Sequence, residues 1–181
     1  PNDQPYTNSI IVNNKVLVPI VNSSWDDEAL DVYETALPGY EVIGFTGTWE
    51  STDALHCRVK GIPDLEMLQI FHKPLTDTIA PNPSQPQGYE LELDINDLSG
   101  SGIVEQSVKV FWKNETMPDY DSTLLYQSDV PEEPDKYIGS IPVQAFESDI
   151  RYYVQGADSS GRIETSPLAG YHSFYATPTD A

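Results

Sequence analysis

The chain has 181 residues, 39% of them hydrophobic, enough for one large or two small packed domains and too apolar for wholesale disorder. Its 29 acidic residues outnumber 9 Lys and Arg, and the resulting formal net charge of −20 excludes a nucleic-acid partner, since phosphate binding needs clustered cations. No run approaches the roughly 20 apolar residues of a membrane span, and a single cysteine excludes a disulfide framework.

The chain opens at Pro1 with neither an initiator Met nor a signal peptide, as expected of a processed product or a fragment. Residues 9–12 and 15–21 read as two apolar strands, and Asn13-Asn14 between them suits a tight turn because Asn tolerates positive φ. Ser24 is the predicted N-cap of a helix whose first turn holds Asp26, Asp27 and Glu28, where the helix dipole favours negative charge. Ala29, Leu30, Val32, Tyr33, Ala36 and Leu37 form its apolar face, and Pro38-Gly39 stops it. Residues 41–45 follow as a third strand, and a Gly/Thr/Ser-rich loop over 46–53 leads to Cys57. Residues 67–72 read as a last strand of this α/β part.

The composition changes at Pro74, and the Pro-rich stretch 81–88 reads as a boundary between domains. Residues 89–95 then alternate apolar and acidic with period two, so one face is buried and the other wet. Further strands are predicted over 107–112, 123–126, 136–141, 151–155 and 171–176, with turn signals at 96–97, 99–102 and 158–161. With Trp112 on an early strand, this pattern predicts an immunoglobulin-like β-sandwich without its disulfide.

Cys57, between a polar loop and Arg58, reads either as a nucleophile, with Arg58 or a distant His holding the thiolate, or as a small buried apolar residue. His56 is a poor base for it, since neighbours on a strand point to opposite faces. His72 and His172 fall in predicted strands and read as structural. Three scattered His and one Cys give no metal-ligand spacing. Asp94, Asn96, Asp97 and Asp158 could ligate calcium through oxygen, but they match no EF-hand loop and read first as turn residues. Asn22 and Asn114 open N-glycosylation sequons, and Trp49 reads equally as a pocket wall or as packing for its own loop.

Several segments carry a resemblance: Pro5 to Ser9, Asn13 to Pro19, Asp26 to Leu30, Leu37 to Gly44 and Thr52 to Arg58. They resemble the end of the catalytic domain of bacterial, Porphyromonas-type peptidylarginine deiminases, relatives of agmatine deiminases. The part after Pro74 is similar to the immunoglobulin-like domain that follows catalysis in those enzymes. The resemblance implies an α/β plus all-β chain. Residues 1–74 would be the last portion of a five-bladed α/β propeller, 75–88 a linker and 89–181 the immunoglobulin-like sandwich. It also implies a secreted or cell-surface bacterial enzyme that hydrolyses peptidyl arginine to citrulline and ammonia without a cofactor or metal. Cys57 matches the family nucleophile, Asn8 an active-site asparagine and Thr52 a threonine lining the substrate pocket.

In that family a histidine acid/base and guanidinium-binding carboxylates lie upstream of the segment matching Tyr6-Thr7-Asn8. The expectation is therefore that activity needs a missing N-terminal catalytic segment, covalently joined or present as a second chain. Loss of a general acid/base alone lowers rates by ~10²–10⁴-fold. Two alternatives stand beside this reading: a non-enzymatic binding or assembly module built on the sandwich, and a deiminase of the same superfamily acting on agmatine or free arginine.

Overall fold

A computed structural model describes residues 4–50, 52–82 and 88–178. The chain divides into two compact units, one of residues 1–63 with Leu168–Gly170 and one of residues 64–167 with 171–181.

The first unit begins with a single 3-10 turn, Pro5–Thr7, in which Pro supplies a preset φ and a missing N–H where none is needed. Strands β1 (Ile10–Val12) and β2 (Lys15–Ile20) pair antiparallel, with Asn13 at φ 52 in the turn. The helix α1 (Asp26–Ala36) then crosses over to β3 (Glu41–Thr46), which lies parallel to β2. A parallel pair needs such a crossover, whereas the antiparallel pair needs only the two-residue turn. Val16 and Val18 of β2 are fully buried. Gly39 ends the crossover at φ +92, and a Cβ there would fall 2.4 Å from the Gly170 amide nitrogen, so no other residue fits the turn. A one-turn helix, α2 (Leu55–Arg58), follows the polar loop.

The second unit is built from two sheets. One has the order β4-β6-β10-β9, from β4 (Leu68–His72), β6 (Tyr89–Asp97), β10 (Lys136–Ile141) and β9 (Tyr126–Gln127). The other runs β5-β13-β11-β7-β8, from β5 (Thr78–Ile79), β13 (His172–Ala176), β11 (Ser148–Ala157), β7 (Lys109–Lys113) and β8 (Asp121–Leu124). The strand β12 (Ile163–Ser166) pairs with β11. Inward residues of both sheets share one core: Leu91, Leu93 and Ile95 from β6, Val110 and Trp112 from β7, Ile150, Tyr152 and Val154 from β11. The strict alternation of burial along β6 and β11 is the period-two signature realised in three dimensions.

The expectation of an α/β propeller portion is overturned. The described residues are mainly β, 42% strand against 11% helix, in three sheets, and those of the first unit form one three-stranded sheet with a single long helix rather than blades around an axis. The local pattern was read correctly as strand, helix and strand, but such a pattern does not dictate how sheets are arranged around a centre.

Smaller differences have local causes. Residues 67–72, assigned by sequence to the α/β part, instead pair with β6 in register Leu68↔Asp97 to His72↔Leu93, because their apolar side chains Leu68 and Ile70 fill the second unit's core. The structural division thus falls at Pro63, ahead of the Pro-rich stretch, of which residues 83–87 lie outside the described set. The predicted strand over 123–126 splits at buried Leu125, whose N–H bonds the Val108 carbonyl, and the two halves join different sheets as β8 and β9. Ser24 does not cap α1. The N-cap position is Trp25, which makes no side-chain capping bond, and its amide donates to the Ser23 hydroxyl in the preceding turn at 3.1 Å.

Candidate functional site

Three chain segments of the first unit meet at Cys57. The 3-10 turn ends at Asn8, whose amide N–H closes onto the Pro5 carbonyl at 2.8 Å. Asn8 Oδ1 accepts from the backbone amides of Ala54 and Cys57, each at 3.3 Å, and the Asn8 carbonyl accepts from the His56 amide at 3.1 Å. These N–H groups open the short helix α2 and have no partner within it, so Asn8 supplies one from 49 residues away. Because the two backbone donors require the carboxamide oxygen, the NH₂ end is turned the other way, and Nδ2 donates to Cys57 Sγ at 3.1 Å. The Cys57 thiol lies 3.6 Å from the Thr52 carbonyl, to which it donates. The cysteine residue is exposed.

The sequence-predicted residues Cys57, Asn8 and Thr52 are therefore neighbours, with one difference in chemistry: Thr52 meets the sulfur through its main chain rather than its hydroxyl. Arg58 does not hold the thiolate. Its guanidinium forks onto Asp53, Nε to Oδ1 at 3.2 Å and Nη2 to Oδ2 at 3.1 Å, while Nη1 donates to the Thr48 carbonyl at 3.0 Å. The Asp53 partner raises the Arg58 pKa above its usual value. Trp49 packs on its own unit, donating from Nε1 to the carbonyls of Ile20 and Phe45 at 3.0 and 3.2 Å, with the Arg58 guanidinium 5.6 Å over its ring. His56 is exposed at the second position of α2 rather than on a strand, and its side chain makes no hydrogen bond among the described residues.

Sequence reasoning missed the network behind Asn8. Asp26, 8% exposed, accepts from the Tyr6 hydroxyl at 2.8 Å and from the amides of Val21 and Ser23 at 3.3 and 3.1 Å. Burial pushes its carboxyl up, but those donors outweigh it and hold Asp26 below the usual carboxylate range. Tyr33 donates to the Tyr6 carbonyl at 3.0 Å and meets the Ser9 hydroxyl at 2.8 Å, so the residues flanking Asn8 are tied to α1 on both sides. The place of Asp26 in the first turn of α1 suggests a dipole partner; a buried acid and a facing Tyr 20 residues apart leave no local sequence signal.

In the second unit His72 donates or accepts at both ring nitrogens, Nδ1 to the Glu92 carbonyl at 2.8 Å and Nε2 to the Tyr152 hydroxyl at 2.9 Å. The carbonyl can only accept, so Nδ1 carries the proton and Nε2 accepts from the tyrosine. His172 stands 5.5 Å away, ring to ring, with Nε2 buried and unpartnered. Asp97 and Asp158 each close their own turn, accepting from Ser99 and Gly102 and from Ser160 and Arg162 respectively. Among the described residues no group of three or more His, Cys, Asp or Glu is placed to hold a metal ion, and no helix is long and apolar enough to cross a membrane.

No family model matches the chain. Among solved structures, CopC from Methylosinus trichosporium OB3b is similar at a TM-score of 0.39 and 13% identity, over 62% of this chain and 98% of that one.

Proposed function

We propose that Cys57 is the nucleophile of a protein-arginine deiminase, secreted from a bacterial cell, that converts peptidyl arginine to citrulline and ammonia. The observation that supports this reading is an exposed cysteine to whose sulfur a fixed carboxamide donates at 3.1 Å. The carboxamide and the Thr52 carbonyl position the sulfur, and a bound guanidinium cation stabilises a neighbouring thiolate. The thiolate attacks the guanidinium carbon, and the resulting tetrahedral adduct expels ammonia once a nitrogen is protonated. A covalent amidino-thioether cation remains. Water adds to its carbon and gives up both its protons, one before and one as the thiolate leaves, giving the ureido group of citrulline; one of these protons replaces the one taken up by the departing ammonia. The net change is one water consumed and one ammonia released.

Each half-reaction needs a proton carrier, and among the described residues the groups bonded to Sγ are an amide and a carbonyl, neither of which titrates near neutrality. The base and the carboxylates that grip the guanidinium are accordingly assigned to a further catalytic segment, joined to this chain or carried by a second one. A haloacetamidine, which carries a guanidine-like cation beside an electrophilic carbon, tests the reading. Labelling of native Cys57 well above the rate of the denatured thiol, together with citrulline formation from an arginine peptide when that segment is supplied, is the expected result. Labelling no faster than the denatured thiol favours a non-enzymatic binding module. Preference for agmatine or free arginine over peptide assigns the chemistry to a small-molecule deiminase.

A further inference from the structure

The outer face of the β7–β11 strand pair gathers three cations that form no ion pair among the described residues. Register sets Arg151 opposite Lys113, Tyr153 opposite Phe111 and Gln155 opposite Lys109. Alternate residues share a face, so these six stand together while Val110, Trp112, Tyr152 and Val154 turn into the core. Ion pairs among the described residues engage Lys15, Arg58, Lys136 and Arg162, and none engages Lys109, Lys113 or Arg151. In a chain with 29 acidic and 9 basic residues, three of the basic ones on one sheet face are a local concentration of positive charge.

The cations are set among rings. Phe111 and Tyr153 stack at 4.9 Å and 7°, and Tyr120 meets Tyr153 edge-on at 5.3 Å. Lys113 Nζ lies 4.9 Å over Tyr120, and the Arg151 guanidinium 4.8 Å over Tyr171. Arg151 and Tyr171 are exposed. The hydroxyls of Tyr120, Tyr153 and Tyr171 have no hydrogen-bond partner among the described residues, as is also the case for Tyr40, Tyr126 and Tyr137 outside the patch, and are free to meet a ligand. Asp149, whose amide bonds Glu115 at 3.1 Å, bounds the patch at one end.

We propose that this face binds an anionic saccharide unit, a sugar bearing a carboxylate or phosphate. The cations take the anionic group by charge-assisted hydrogen bonds, the unpartnered phenols meet sugar hydroxyls, and the rings supply rigid apolar contact. A long polyanion such as nucleic acid fits poorly, because the chain that surrounds these three charges is strongly acidic, with a net charge of −20 overall. The assignment does not depend on the chemistry of Cys57.

Titration of the whole chain with glucuronate, glucose 6-phosphate and glucose, followed by NMR, tests it. Both anionic sugars are expected to saturate, to weaken with added salt, and to bind at least several-fold more tightly than glucose. Lys113→Ala and Arg151→Ala are each expected to weaken binding by about tenfold, the loss of one charge-assisted hydrogen bond, while Lys73→Ala leaves it unchanged. No saturable binding, equal binding of glucose, or insensitivity to both patch substitutions overturns the proposal. So does tighter binding of a phosphoserine peptide than of either anionic sugar, which would assign the face to peptide.

Discussion

Asn8 carries the geometry at Cys57. Its one carboxamide satisfies two amides at the start of α2 and directs a donor at the sulfur, so shape and chemistry depend on a single side chain. Replacing it with Ala leaves two backbone N–H groups without a protein partner and is expected to lower the first unit's stability by about 1–2 kcal/mol in urea unfolding. Asn8→Ala should also slow alkylation of Cys57 by iodoacetamide at neutral pH by several-fold, because the thiolate loses its donor. Asn8→Asp is the sharper variant: it keeps an acceptor for the two amides but sets a negative charge beside sulfur. Stability near wild type with alkylation slower than in Asn8→Ala is the expected outcome, read from the same two measurements. Equal alkylation rates in the two variants would separate the sulfur contact from reactivity.

Elements are held in place by buried polar side chains that bridge distant segments. Asp26 at the start of α1 accepts from the turn that precedes Asn8 and from the chain leaving β2, and it is the buried residue of that helix. Asp26→Ala strips the Tyr6 hydroxyl and two amides of their acceptor, with an expected loss of about 2–3 kcal/mol in thermal or urea unfolding. Tyr33→Phe removes only one hydroxyl and should cost about 1 kcal/mol. In the second unit Asp158, 2% exposed, gathers the Ser160 amide and hydroxyl and the Arg162 amide at the β11–β12 turn. These bonds, that of the Ser160 hydroxyl foremost, hold its carboxyl below the usual range. Asp158→Ala is expected to lower the urea midpoint more than a substitution at exposed Asp94.

At the scale of the whole molecule, two electrostatic features set how stability varies with solution conditions. Burial pushes His172 down to about 4, with the neighbouring His72 ring contributing, and burial also lowers His72. The unfolded chain therefore takes up protons near pH ~6.5 that the folded imidazoles refuse. Stability from this pair is complete above that pH and is lost as pH falls through the window from ~6.5 to about 4. Urea unfolding across that range should show the decline, and His172→Phe should flatten it. The −20 charge repels itself, so the thermal midpoint should rise when salt is added at neutral pH.

What the sequence determined by itself is local. Period-two alternation located β6, Asn13-Asn14 located the first hairpin turn, and acidic residues followed by an apolar stripe located α1. Each is set by side-chain spacing that a short window contains. The approach of Asn8 to Cys57, expected from resemblance alone, is a contact over 49 residues, and no periodicity encodes it. Tertiary structure alone decided that residues 68–72 join the second unit, that residues 121–127 split between two sheets, and that Arg58 faces Asp53 instead of sulfur. It also decided against a propeller. The physical reason is common to all of these. Strands and helices need only neighbours in sequence to form, but the surface each one buries is chosen in competition with every other apolar face and charge in the chain, and that competition has no local record.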